Sequence, residues 1–130
     1  MRSCLFEDRA EQLEPLAWTR PAFDLRCGMV TLGQKLLRHV GEPDWGVLIR
    51  PVLEDLYRLQ HPGVAVNDAD WLKADDVILV NGRWLPPDQA FEMPRDSCVG
   101  TVGADVAYCR LQIADFSFMS DLQSAICNLQ

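Results

Sequence analysis

Val77-Ile78-Leu79-Val80-Asn81-Gly82 is the stretch that decides the fold. Four apolar residues in a row, with no polar alternation, predict a strand buried on both faces, as parallel sheets use between two helical layers. Asn81-Gly82 is the turn signal that ends it. Working upstream, Val64 to Val66 reads as a very short strand, and the polar stretch Asn67 to Asp76 separates it from the apolar run. Trp45 to Ile49 reads as another strand. Pro51 after it suits the first turn of a helix that would turn Val52, Leu53, Leu56 and Leu59 inward and stop at His61-Pro62-Gly63.

Further back, Thr31 can cap a helix in which Leu32, Leu36 and Val40 recur every four residues with Leu37 beside them, and Gly41 stops it. Ser3 to Phe6 is a short apolar run that suits a buried first strand. Strand and helix alternate through residue 82, which predicts βαβ units, a mainly parallel sheet and helices on both of its faces. Downstream the pattern changes. Cys98 to Val102 and Val106 to Gln112 are strand-like runs joined by Gly103-Ala104-Asp105, so an antiparallel hairpin is appended to the three-layer α/β domain. Gly100 and Gly103 do not make a dinucleotide loop, because no helix pattern opens directly after them. Ser120 and Gln123 stand at capping-box spacing ahead of Leu122, Ile126 and Leu129, which predicts a terminal helix.

The chain has 130 residues, 48% of them hydrophobic, enough to bury a core as a single domain spanning residues 1 to 130. A net charge of −7 argues against non-specific binding to nucleic acid or to an anionic membrane, both of which need a basic footprint. No window is long and apolar enough for a membrane span, and the N-terminus turns acidic at Glu7-Asp8 before a signal-peptide core could form, which predicts a cytoplasmic protein. The five cysteines are scattered without a C-x-x-C pair, so neither a disulfide framework nor a zinc site is indicated. His39 and His61 fall near predicted helix ends and have no metal-ligand partner at helical spacing.

The segment with chemical content follows the first strand: L-E-P-L-A-W-T-R-P-A-F-D-L-R-C-G, residues 13 to 28. In an open α/β sheet, ligands bind beyond the carboxyl ends of the strands, and this segment would bring Arg20, Asp24 and Arg26 there. Two roles stay open for the arginines: phosphate forks, or a structural network with Asp24 that holds a long proline-bearing loop. Glu7 and Asp8, at the strand end, could be solvated or cap backbone N–H groups, or else ligate a metal. Trp18 and Trp84 could pack or stack on a base, and Asn81 could be a turn residue only.

Leu5 to Ala22 lies without gaps along the signature of the nucleotide-sugar pyrophosphorylases, a strand, L-x-G-G-x-G-T-R-L, then P-L-T-x-x-x-P-K, keeping Leu5, Leu13, Pro15, Leu16 and Pro21. F-E-D, P-L, T-R-P, D-L-R and the later N-G-R resemble the sugar nucleotidyltransferases related to the N-terminal domain of UDP-N-acetylglucosamine pyrophosphorylase. The resemblance implies the N-terminal part of a nucleotide-diphospho-sugar transferase fold, without the β-helix of hexapeptide repeats that often follows. It also implies transfer of a nucleotidyl group from an NTP to a sugar 1-phosphate, with pyrophosphate leaving and Mg²⁺ neutralising charge. A nucleoside triphosphate or nucleotide sugar would be the partner, and a sheet ended early would leave an edge for a homo-oligomer.

This sequence departs from the signature where the chemistry is. Glu7, Asp8 and Ala10 stand at the glycine positions, Gln12 replaces the arginine, Ala22 the lysine, and Arg83 the metal-holding aspartate. A carboxylate about 4 Å from a phosphate charge costs roughly 4 kcal/mol at an effective dielectric near 20. What remains for phosphate or sugar is Arg20, Asp24, Arg26, Asn81 and Arg83, with Glu7 and Asp8 for a metal. The expectation is a nucleotidyltransferase-like domain, weak or inactive as this chain, or else a non-catalytic module that binds a nucleotide sugar or serves assembly.

Overall fold

The computed structural model describes residues 1–41, 43–87, 92 and 94–116. In chain order the elements are β1 (Arg2–Phe6), β2 (Arg26–Cys27), β3 (Val30–Thr31), α1 (Leu32–Val40), β4 (Trp45–Leu48), α2 (Glu54–Gln60), β5 (Ala65–Val66), α3 (Ala69–Lys73), β6 (Val77–Asn81), β7 (Cys98–Val102), β8 (Asp105–Leu111) and α4 (Ile113–Phe116). Six strands form one sheet in the order β5-β4-β1-β6-β8-β7, and β2 with β3 makes a separate two-stranded ribbon. β5, β4, β1 and β6 run parallel to their neighbours, whereas β8 joins β6 antiparallel and pairs with β7 as a hairpin.

The apolar run at residue 77 is buried along its whole length, as a strand covered on both faces requires. Its alternate residues go to two cores. Leu5, Val47, Ile78 and Val80 face α1 and α2 with Leu36, Leu53 and Tyr57, while Cys4, Phe6, Val77 and Leu79 face Leu72 and Trp71 of α3. The result is a three-layer α/β domain. Among the described residues no helix is long and apolar enough to cross a membrane.

Thr31 caps α1 as read, with a full capping box to Gln34, and Gly41 closes it in the left-handed region at φ 78°. The second helix departs from its predicted phase. Val52, Leu56 and Leu59 are exposed, Leu59 to 81%, and the residues turned inward are Leu53 and Tyr57. The cause is local: Pro51–Leu53 forms a 3-10 turn before α2 starts at Glu54, so the inward stripe runs from Leu53 to Tyr57, and His61 stacks on the Tyr57 ring at 4.3 Å.

Several features lie outside the sequence reading, the β2–β3 ribbon and α4 among them. α3 forms within the polar stretch after Asn67, where the Asp68 carboxylate accepts from the Trp71 N–H at 2.9 Å and caps it. Trp71 then lies against Gly46, where any Cβ would come within 2.8 Å of its ring. β8 begins one residue earlier than read, at Asp105, after a turn with Gly103 at φ 63°. The predicted terminal helix with Leu122, Ile126 and Leu129 lies outside the described residues.

Candidate functional site

The carboxyl ends of β1, β4 and β6 converge on the loop that follows β1. Glu7 is the first residue after β1 and is only 4% exposed. Its Oε1 accepts from the Ala22 N–H at 3.3 Å, and its Oε2 accepts from the Arg50 N–H at 2.9 Å and from Arg50 Nε at 3.2 Å. The Arg50 Nη2 donates in turn to the carbonyls of Ala17 and, at 3.2 Å, Arg20. One buried carboxylate and one arginine therefore pin the start of β1's loop, the residues after β4 and the Ala17 to Ala22 segment together. Charge-assisted hydrogen bonds of this kind are roughly twice as strong as neutral ones.

Asp8, 4% exposed, points to the other neighbour, β6. Its Oδ2 accepts from Asn81 Nδ2 at 3.1 Å. The same amide donates to the Val106 carbonyl at 2.9 Å, and Asn81 Oδ1 accepts from the Arg83 N–H at 2.9 Å. Asn81 thus uses both amide protons and its oxygen to tie β1, β6 and β8 at their site end. Asp8, Asn81, Arg83, Trp84, Asp105 and the residues around Val106 line a cleft of about 230 Å³. Arg9, held at φ 46°, reaches Asp105 at 3.1 Å, with its Nε 3.9 Å from Asp8 Oδ1. Trp84 also packs edge-on against His39 and beside Tyr108.

The sequence-predicted residues divide into groups. Asp8, Asn81 and Arg83 share this cleft, although they come from positions more than 70 residues apart. Arg20 and Arg26 are exposed and lie outside it, as does Asp24. Asp24 lines a separate crevice of about 30 Å³ beside Phe23, Thr31, Trp45 and Tyr57, room for a water molecule rather than a sugar phosphate. Glu7 is committed to Ala22 and Arg50. Arg50 itself went unnoticed in the sequence, because an arginine before a proline carries no motif; only its pairing with Glu7 marks it.

Both Glu7 oxygens are engaged, so Glu7 is not an open Mg²⁺ ligand. Asp8 Oδ1 has no hydrogen bond among the described residues, but it faces the Arg9 guanidinium. No group of three or more metal-ligating side chains occurs among the described residues. Mg²⁺ is usually held by one or two carboxylates together with phosphates and water, and of these two carboxylates Glu7 is committed to Ala22 and Arg50.

Burial raises the Asp24 carboxyl above the usual carboxylate range, nearby Glu7 adds to the rise, and His61 and Arg20 oppose it. A raised folded-state value means that the native state holds this proton more tightly than the unfolded chain. The stabilisation is complete below the unfolded value and is lost as pH rises through the folded one. Asp24→Asn is therefore expected to melt at a higher temperature than wild type at pH 7, and the gap should close toward about pH 3. Melting curves across that range check it; a variant less stable than wild type at pH 7 would assign Asp24 to an ionised network with Arg20.

A family model described as sugar nucleotidyl transferase matches residues 3–102, from β1 through β7. The chain belongs to that family. A search of curated proteins returns no match. The matched span contains Glu7, Asp8, Arg50, Asn81 and Arg83, whereas Asp105 to Ala107, which complete the cleft, lie beyond it.

Proposed function

We propose that this chain is a sugar nucleotidyltransferase-like domain that binds a nucleotide or sugar phosphate and performs little or no nucleotidyl transfer by itself. The observation that carries the reading is the convergence of Asp8, Asn81 and Arg83 with Trp84 in one cleft beyond the carboxyl ends of two adjacent parallel strands. In this reading Arg83 forks a phosphate and Trp84 offers an apolar face. Asn81 fixes the Arg83 backbone, and exposed Arg20 and Arg26 give a second, peripheral cationic contact to the same ligand. The motifs F-E-D, T-R-P, D-L-R and N-G-R support, within the family, a kinship with the N-terminal domain of UDP-N-acetylglucosamine pyrophosphorylase. Weak transfer follows from Gln12 and Ala22, which stand where the signature has cations, and from Glu7, which holds donors that would otherwise face a phosphate.

The test is a ligand titration followed by melting temperature and calorimetry, with UTP, UDP-N-acetylglucosamine and N-acetylglucosamine 1-phosphate at millimolar concentration, each with and without Mg²⁺. Arg83→Ala is expected to weaken binding about tenfold, the size of one charge-assisted contact, while leaving apo stability nearly unchanged. Pyrophosphate release from UTP should stay at background. Wild-type protein that responds to none of these ligands would remove the reading, and vigorous turnover would restore full catalysis.

A further inference from the structure

The Glu7 carboxylate sits as an anion sits in a receptor. Two backbone N–H groups, of Ala22 and Arg50, and the Arg50 Nε converge on its two oxygens. The donors come from two separate chain segments, and the guanidinium is held by its own bonds, since Arg50 Nη2 is anchored on the Ala17 and Arg20 carbonyls. The cradle opens on a cleft of about 240 Å³ bordered by Arg9, Glu11 and Arg50. Removing the Glu7 charge would leave two arginines against one glutamate there.

We infer that residues 7, 22 and 50 form a built oxyanion site that the protein fills with its own Glu7, so that a small external oxyanion is excluded in the native chain and admitted once Glu7 is shortened. The site is independent of the cleft lined by Asp8 and Arg83. A phosphate carried by a ligand would accordingly be turned away from the β1 loop. The ligand class follows from the donors: two backbone N–H groups and one guanidinium N–H suit a carboxylate or a phosphate oxygen pair.

Glu7→Ala deletes the Cγ and the carboxylate, which are the heavy atoms of acetate, so acetate is the matched probe and orthophosphate the phosphoryl probe. The expected result is a Glu7→Ala protein of lowered melting temperature that regains about 3 °C or more in acetate relative to chloride at equal ionic strength. It should bind orthophosphate at least about tenfold more tightly than wild type does. Glu7→Gln, whose amide still fills the space, should show no rescue, and Glu7→Ala with Arg50→Ala should lose it. Equal response to acetate and chloride, rescue that survives loss of Arg50, or failure to fold in acetate as in chloride would each overturn the inference. None of these outcomes touches the nucleotide titration of the wild-type chain, so the two ideas fail separately.

Discussion

Arg50→Ala is expected to lower the stability of the protein by about 3 kcal/mol, because it strands the Glu7 carboxylate in a site that is 96% closed to water. An exposed ion pair would contribute far less, about 0 to 1 kcal/mol. The difference here is that Glu7 cannot regain solvent when its partner leaves, and the two backbone N–H donors that remain do not neutralise it. The guanidinium also holds the Ala17 and Arg20 carbonyls, so the segment that carries Arg20 would lose its tether to β4. Arg50→Lys keeps the charge without the planar fork and cannot span Glu7, Ala17 and Arg20 together; it should recover only part of the loss. Urea unfolding of the three proteins measures this directly. A loss below about 1 kcal/mol for the alanine variant would mean that water reaches Glu7 after all.

The layered fold was legible because its cause is local to each segment. Four apolar residues at 77 to 80 need cover on both sides, and the capping residues at 31 and 41 bracket one turn-by-turn stripe. The phase of α2 was not, because Pro51 starts a 3-10 turn whose tighter winding shifts which side chains point inward, and apolar residues at 52, 56 and 59 mimic a helical stripe. Helix α3 was missed because its cap, Asp68, sits in a polar run, and its burial depends on the absence of a side chain at Gly46, far away in sequence. The site divides the same way. Glu7, Asp8, Asn81 and Arg83 stand at strand ends, which the sequence marks; the choice of partner for each does not follow from spacing. Glu7 pairs with Arg50, 43 positions on, instead of with Arg20, which is nearer in sequence and points to solvent.

Phe23→Ala should cost the protein roughly 3 to 5 kcal/mol, and it should also weaken whatever binds in the cleft beside Arg83. Phe23 is fully buried, and its ring meets Tyr57 edge-on at 6.2 Å between centroids. The same ring occupies the space over Gly82, where a Cβ would lie 2.6 Å from it, and it borders Gly33 of α1. One side chain therefore joins the site loop, the first helix, the second helix and the end of β6. Alanine would open a void between four elements that are fixed by other bonds and cannot all collapse into it, which places the loss in the upper range for large-to-small substitutions. For a chain of this length that is a fall in melting temperature of roughly 10 to 20 °C. The effect on binding has a separate route: Gly82 lies between Asn81 and Arg83, so freeing it of the ring loosens the turn that aims Arg83. Phe23→Leu keeps most of the volume and should cost less than half as much, with binding retained. Melting and ligand titration on both variants separate the two effects: a leucine variant that is stable yet binds weakly would show that ring geometry over Gly82, and not core volume alone, sets the position of the cleft.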